Sequence, residues 1–115
     1  MLRLPKGAVY EGMFARNLFE GRGRYRYADG KQYEGEWREG KMNGKGTFTM
    51  PDGKTYEGEY LNDKKHGMGV FSWPSGKRYE GMWSEGHPHG AGTMVEESGA
   101  LKKGRWEKGA YLGDI

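Results

Sequence analysis

The segment at residues 33–55, YEGEWREGKMNGKGTFTMPDGKT, decides the fold of this chain. Its first six residues alternate between apolar or small side chains and charged ones, and residues 45–50 alternate between apolar or small side chains and Lys or Thr. A period of two is typical of a β-strand. Pro51-Asp52-Gly53 predicts a tight turn, because proline presets φ and glycine accepts a positive φ. The segment therefore predicts one β-hairpin, with a polar connection at residues 39–44 and a turn after its second strand.

The same pattern recurs with a period of 23 residues. Tyr-Glu-Gly begins at Tyr10, Tyr33, Tyr56 and Tyr79, which defines copies at 10–32, 33–55, 56–78 and 79–101. Partial copies at 1–9 and 102–115 complete the chain, so residues 1–115 are expected to form one array without a linker. Both ends are out of phase with Tyr-Glu-Gly, which mildly favours an array excised from, or permuted relative to, a longer one.

The composition restricts the classes of function. The 115 residues include 22 glycines and no cysteine, and the net charge is +3. Disulfides, thiolate catalysts and cysteine zinc sites are thereby excluded. We expect no enzyme activity, metal or cofactor, because no catalytic group converges and His66, His87 and His89 are expected in hairpin loops without further ligands. The near-neutral charge also argues against a nucleic-acid partner.

The hairpins together predict an all-β fold, a single-layer antiparallel meander of about ten strands. At ~4.8 Å per strand the sheet would be roughly 45 Å long. One face would carry the aromatic rings of both strands of each hairpin, and the other would carry Glu, Arg, Lys and Thr side chains. Glycines in both strands would let a ring lie over bare backbone and let the sheet curl.

The repeated elements Tyr-Glu-Gly-Glu-Trp, Gly-Lys, Asn/His-Gly-x-Gly and Asp-Gly resemble the MORN repeat (membrane occupation and recognition nexus). The resemblance covers the whole chain. It implies an elongated, curled half-pipe without a catalytic domain, and it implies links with phosphoinositides and with cytoskeletal or ciliary assemblies. The first copy departs from the pattern, since Asn17 and Glu20 replace the usual glycine and histidine.

The leading hypothesis is a protein–protein interaction scaffold. A single layer leaves aromatic area without cover, and an exposed apolar surface of a few hundred Å² usually marks a partner site. A lengthwise trough of rings would suit a helical or extended segment of another protein. The predicted groove consists of Tyr10, Phe14, Tyr33, Trp37, Tyr56, Tyr60, Tyr79 and Trp83, with Glu36 and Glu59 at its rim.

Two alternatives stay open. The first is peripheral attachment to anionic phospholipids, including phosphoinositides, through a basic edge formed by Arg22, Arg24, Arg26, Lys31, Lys54 and Lys77. The second is self-assembly into a homo-oligomer through the unpaired edges of the terminal strands, with the Leu112/Ile115 end as candidate. We expect a cytoplasmic protein that is associated with the cytoskeleton or a cilium, or is peripheral at a membrane.

Overall fold

The computed structural model describes residues 2–113, which form one antiparallel sheet of eleven strands. Every strand pairs with its neighbours in the sequence, so the chain is a meander without crossovers. The strands are β1 (Leu2–Arg3), β2 (Val9–Ala15), β3 (Leu18–Arg26), β4 (Gln32–Arg38), β5 (Lys41–Thr49), β6 (Thr55–Leu61), β7 (Lys64–Ser72), β8 (Arg78–Ser84), β9 (His87–Val95), β10 (Leu101–Glu107) and β11 (Ala110–Gly113).

The sheet is elongated, with principal extents of 46 × 25 × 18 Å. No second layer covers it within the described residues, because a single 3₁₀ turn at Pro5–Gly7 is the one helical element there. The prediction of an elongated, single-layer all-β meander is confirmed. It has eleven strands rather than about ten, since the first residues contribute the two-residue strand β1.

The connection inside each hairpin is shorter than the sequence predicts. In the second copy it consists of Glu39 and Gly40, whose φ angles of 49° and 83° are typical of a type I′ turn. β5 then begins at Lys41, so the predicted loop at residues 39–44 is wrong beyond its second residue. The extra residues fit within the strand because the register shifts between Gly35 and Trp37, and Gly44 takes a φ of 99°.

The prediction that the three histidines lie in hairpin loops is wrong for the same reason. His66 lies on β7, and His87 and His89 lie on β9, so all three belong to strands rather than to hairpin loops. Their strands are longer at the start than the alternation of polar and apolar residues suggested. Among residues 2–113 no group of three or more His, Asp or Glu side chains is placed to hold a metal ion.

The turns between hairpins are closed by side chains as well as by backbone. The Oδ1 atoms of Asp29 and Asp52 accept the backbone N–H of Lys31 and Lys54, respectively, at 3.1 Å. These backbone hydrogen bonds are the main reason that the pKa of both carboxyl groups lies below its ordinary value. In the third copy Ser75 replaces the aspartate, and its hydroxyl accepts the N–H of Lys77 at 3.4 Å.

A row of glycines crosses the sheet at right angles to the strands, and each glycine pairs with the next one. The row consists of Gly12, Gly23, Gly35, Gly46, Gly58, Gly69, Gly81, Gly92 and Gly104. The tyrosine that begins each full copy lies over two of them. A Cβ added to Gly35 would come within 2.7 Å of the Tyr33 hydroxyl, and one added to Gly46 would clash with the same ring. The glycines thus provide the space that the tyrosine occupies.

We expect Gly46→Ala to lower the free energy of unfolding by about 1–3 kcal/mol, because the added methyl group overpacks against the Tyr33 ring. Urea denaturation measures the change. The matched control is Thr47→Ala, the next residue of β5, which lies on the opposite face. Equal losses in the two variants would contradict the role of the glycine row.

We expect Glu39→Asn to stabilise the protein by about 1 kcal/mol, because asparagine tolerates the left-handed backbone that Glu39 adopts at a φ of 49°. The melting temperature should rise by a few degrees, measured by circular dichroism. Glu39→Gln is the control, since it removes the charge and keeps the backbone cost. If Gln stabilises as much as Asn, the effect is electrostatic and the explanation by turn geometry is wrong.

Candidate interaction surface

The aromatic face of the sheet is organised by a continuous ladder of edge-to-face ring contacts. Tyr33, for example, meets Trp37 of its own strand at 5.1 Å and 87°, and Tyr60 of the next hairpin at 5.1 Å and 84°. Edge-to-face pairing is the favourable geometry for such rings. The ring ladder runs in spatial order through Phe14, Tyr10, Trp37, Tyr33, Tyr60, Tyr56, Trp83, Tyr79 and Trp106.

Most polar side-chain atoms of the ring ladder are satisfied by the backbone. The hydroxyl groups of Tyr10, Tyr33, Tyr56 and Tyr79 each donate to the carbonyl three residues later in their own strand. The indole N–H of Trp37 donates to the Gly23 carbonyl at 3.1 Å, which joins one hairpin to the preceding one. Trp83 and Trp106 make the equivalent bonds to Gly69 and Gly92. These four hydroxyl groups and three indole N–H groups are therefore occupied within the core.

Most of the predicted groove residues are buried in this core. The four tyrosines Tyr10, Tyr33, Tyr56 and Tyr79 are 0% exposed, and Trp37, Tyr60 and Trp83 are 5–6% exposed. The expectation that these rings are exposed is therefore wrong, because neighbouring repeats cover one another even in a single layer. Phe14 differs, with 48% of its surface exposed. It lies at one end of the ladder, where β1 is only two residues long.

A second set of rings lies beside the ladder and is only half-buried. This outer ring row comes from the second strands of the hairpins and from the residues directly after them, and consists of Tyr25, Tyr27, Phe48, Phe71 and Trp73. Its members touch each other and the ladder: Phe71 lies 4.6 Å from Trp73 and 6.3 Å from Trp83. The sequence placed these rings on the aromatic face but did not separate them from the ladder.

Glu36 and Glu59 do not lie at the rim of the aromatic face. Their carboxylates accept the backbone N–H of Lys45 and Met68 at 2.7 and 2.9 Å, next to the register shift of each hairpin. Glu59 lines a hollow of about 400 Å³ on the opposite, charged face. The two glutamates close the local irregularity of the hairpin, a role that the sequence analysis missed.

The structure does not bring the six predicted lipid-edge residues to one surface. The arginines project from β3 on the charged face, where Arg24 pairs with Glu11 at 3.8 Å and with Glu34 at 3.4 Å. The lysines follow the turns between hairpins. Lys31 and Lys54 are neutralised by the aspartates of their own turns, at 3.2 and 3.1 Å. Lys77 has no carboxylate partner among residues 2–113, and its ammonium group lies 5.2 Å from the Trp73 ring.

The C-terminal strand β11 lies against the end of the ring ladder. Its Tyr111 ring is 5.0 Å from that of Trp106, and Leu112 is 56% exposed. Met1 and Ile115, which belong to the predicted self-assembly edges, lie outside the described residues.

In the described part of the chain, no helix has the length and apolar character needed to cross a bilayer.

Burial makes the tyrosines a sensor of alkaline unfolding. Desolvation raises the pKa of Tyr10, Tyr33, Tyr56, Tyr60 and Tyr79 above the ordinary value. Because the folded-state pKa values exceed the unfolded ones, the corresponding stability is complete below about pH 10 and is lost as the pH rises further.

We therefore expect the ultraviolet absorbance of these tyrosinates to appear cooperatively, together with the loss of the circular dichroism signal, above about pH 10. Parallel titration of a urea-unfolded sample is the control, and it should ionise smoothly around pH 10. If all eight tyrosines of the native protein ionise in that same smooth curve while the fold persists, the ladder is not closed to solvent.

Comparison with known proteins adds to this geometry. The family model of the MORN repeat matches the chain at residues 10–32, 33–55, 56–78 and 79–99. No curated protein matches the chain significantly. MORN repeats are modules of interaction with proteins or membranes, they are not typically enzymatic, and proteins that contain them are often peripherally associated with membranes. The four matches fall on the four full copies of the repeat, and the chain belongs to the MORN repeat family.

Proposed function

We propose that this chain is a non-enzymatic interaction module whose aromatic face holds a helical or extended segment of another protein. The outer ring row supplies the contacts, together with Phe14, and the buried groove residues form the floor beneath them. The observation that carries the proposal is the half-burial of five rings above a core that is otherwise closed. Rigid aromatic side chains are the residues from which strong protein contacts are most often built.

The size of the surface supports a peptide segment as the occupant. The outer ring row extends from β3 to β7. Four strand spacings correspond to about 20 Å, the length of about six extended residues or of a helix of about four turns. In the ladder beneath, the three indole N–H groups and the hydroxyl groups of Tyr10, Tyr33, Tyr56 and Tyr79 already have backbone partners. An apolar stretch of a partner is therefore a better match than a polar one.

The distribution of charge favours this proposal over lipid attachment. Of the six residues of the predicted basic edge, Arg24, Lys31 and Lys54 are paired with carboxylates. Such pairing weakens the attraction of a cation to an anionic surface. We further propose that residues 1–115 act as one array in the cytoplasm, at the cytoskeletal, ciliary or peripheral membrane assemblies that the family suggests.

The test uses peptides selected from a random display library on the purified protein. We expect peptides with aromatic or aliphatic anchors, and we expect Phe71→Ser to weaken their binding about 10- to 100-fold by removing a ring contact. Fluorescence anisotropy measures the dissociation constants. Val70→Ser is the matched control, because Val70 is the adjacent residue of β7 and faces the opposite side. It should leave the affinity within about twofold.

Failure to select any peptide would overturn the proposal, as would peptides that respond to Val70→Ser and not to Phe71→Ser. Co-sedimentation with phosphatidylcholine vesicles, with and without phosphatidylinositol bisphosphate, provides the second arm. Lipid-dependent sedimentation that disappears at high salt, without any selected peptide, would replace the protein-binding proposal by membrane attachment.

A further inference from the structure

One cation lies on the aromatic face at a position where the other copies have an apolar or aromatic side chain. Lys65 is the cross-strand partner of Tyr60. The equivalent partners of the fifth residue in the other copies are Phe19, Met42, Pro88 and Tyr111. Met42 is buried there at 9% exposure, and Phe19 stacks on Tyr10 at 3.8 Å. Lys65 therefore stands where the repeat otherwise places an apolar or aromatic side chain against the ladder.

The ammonium group of Lys65 is surrounded by rings. It lies 5.4 Å from the centre of Tyr56 and 5.8 Å from those of Phe71 and Trp83. Within residues 2–113 no carboxylate comes within 4.0 Å of it. Cation–π contacts compensate only part of the cost of removing an ammonium group from water. Consistent with this, burial lowers the pKa of Lys65.

A second cation that has no carboxylate partner in the described part of the chain lies at the other end of the same group of rings. Phe71 touches both the Lys65 ammonium group and the Trp73 ring, and the Lys77 ammonium group lies over Trp73 at 5.2 Å. The equivalent lysines Lys31 and Lys54 are neutralised by Asp29 and Asp52, whereas serine replaces the aspartate before Lys77. The third copy thus presents two adjacent rings between two cations that no carboxylate of residues 2–113 neutralises.

We propose that the segment bound by this face is acidic, with an apolar anchor on Phe71 and Trp73 and flanking carboxylates on Lys65 and Lys77. This inference rests on the proposed function and specifies the chemistry of the partner. A carboxylate at Lys65 supplies the counter-charge that the fold omits, in a site already shielded by three rings. Charge complementarity of this kind gives specificity between partners that share the same apolar anchor.

The test compares library selections on the wild type, on Lys65→Met and on Lys64→Met. Methionine at 65 reproduces the side chain that Met42 places at the same position, so this variant is expected to fold and to melt at a higher temperature than the wild type. Lys64→Met changes the net charge equally, one residue away, and removes a cation that is 59% exposed and already paired with Glu85.

We expect the wild type and Lys64→Met to select peptides with Asp or Glu beside the anchor, and Lys65→Met to select neutral anchors. The best acidic peptide should bind the wild type about tenfold more tightly than its version with Gln and Asn, the effect of one partly shielded charge pair. On Lys65→Met this preference should fall to about twofold or less. Lys77→Gln should reduce it as well.

The outcomes separate this inference from the proposed function. Apolar peptides without acidic residues, selected equally by the wild type and Lys65→Met, would overturn the inference and leave the proposed function standing. An acidic preference that survives Lys65→Met, or that disappears in Lys64→Met, would also overturn it. The absence of any selected peptide on all three proteins would overturn both.

Discussion

The contact between a tyrosine ring and glycine backbone is the constraint on which the whole array depends. Each Tyr-Glu-Gly tyrosine lies over a pair of glycines of its own hairpin, and its hydroxyl group is fixed by a carbonyl of the same strand. The ring can then receive the edges of aromatic residues from its own copy and the next one. A sheet with side chains in place of the glycines would hold the rings away from the backbone, and one layer could not bury them.

Much of this fold could be predicted from the sequence, because its signals are local. The alternation within each strand and the Asp-Gly or Ser-Gly turns lie within single copies, and the 23-residue period repeats them along the chain. The burial of the predicted groove could not be predicted in the same way. The indole of Trp37 is closed off by a carbonyl 14 residues earlier, in the preceding hairpin. The alternating pattern states which face a ring occupies and carries no information about which neighbour covers it.

Residues 41–44 were assigned to a loop for a related reason, since the register shift that admits them depends on pairing across β4 and β5.

The two faces of the sheet use charge differently. On the charged face, carboxylates and cations pair across strands, as between Arg24 and Glu34. Exposed pairs of this kind add little to stability, and their effect is mainly to keep that face hydrated and self-compensated. On the aromatic face, the third copy holds Lys65 against rings where an apolar side chain would pack better. Functional surfaces commonly carry residues that the isolated fold would not favour.

The cross-strand position occupied by Phe19, Met42, Lys65, Pro88 and Tyr111 also bears on how the array folds. Contacts join neighbouring hairpins, so folding can begin in any copy and spread in both directions. An assembly displaced by one whole repeat would again match the glycine row and the ring ladder, because both recur with the 23-residue period. Five different side chains at one position make that displaced assembly unequal to the native one where they contact the next hairpin, as Phe19 contacts Trp37 at 5.1 Å and Lys65 contacts Trp83 at 5.8 Å. Pro88 adds a strand position without an N–H donor. Variation within an otherwise regular array thus favours the native register of neighbouring hairpins over the displaced one.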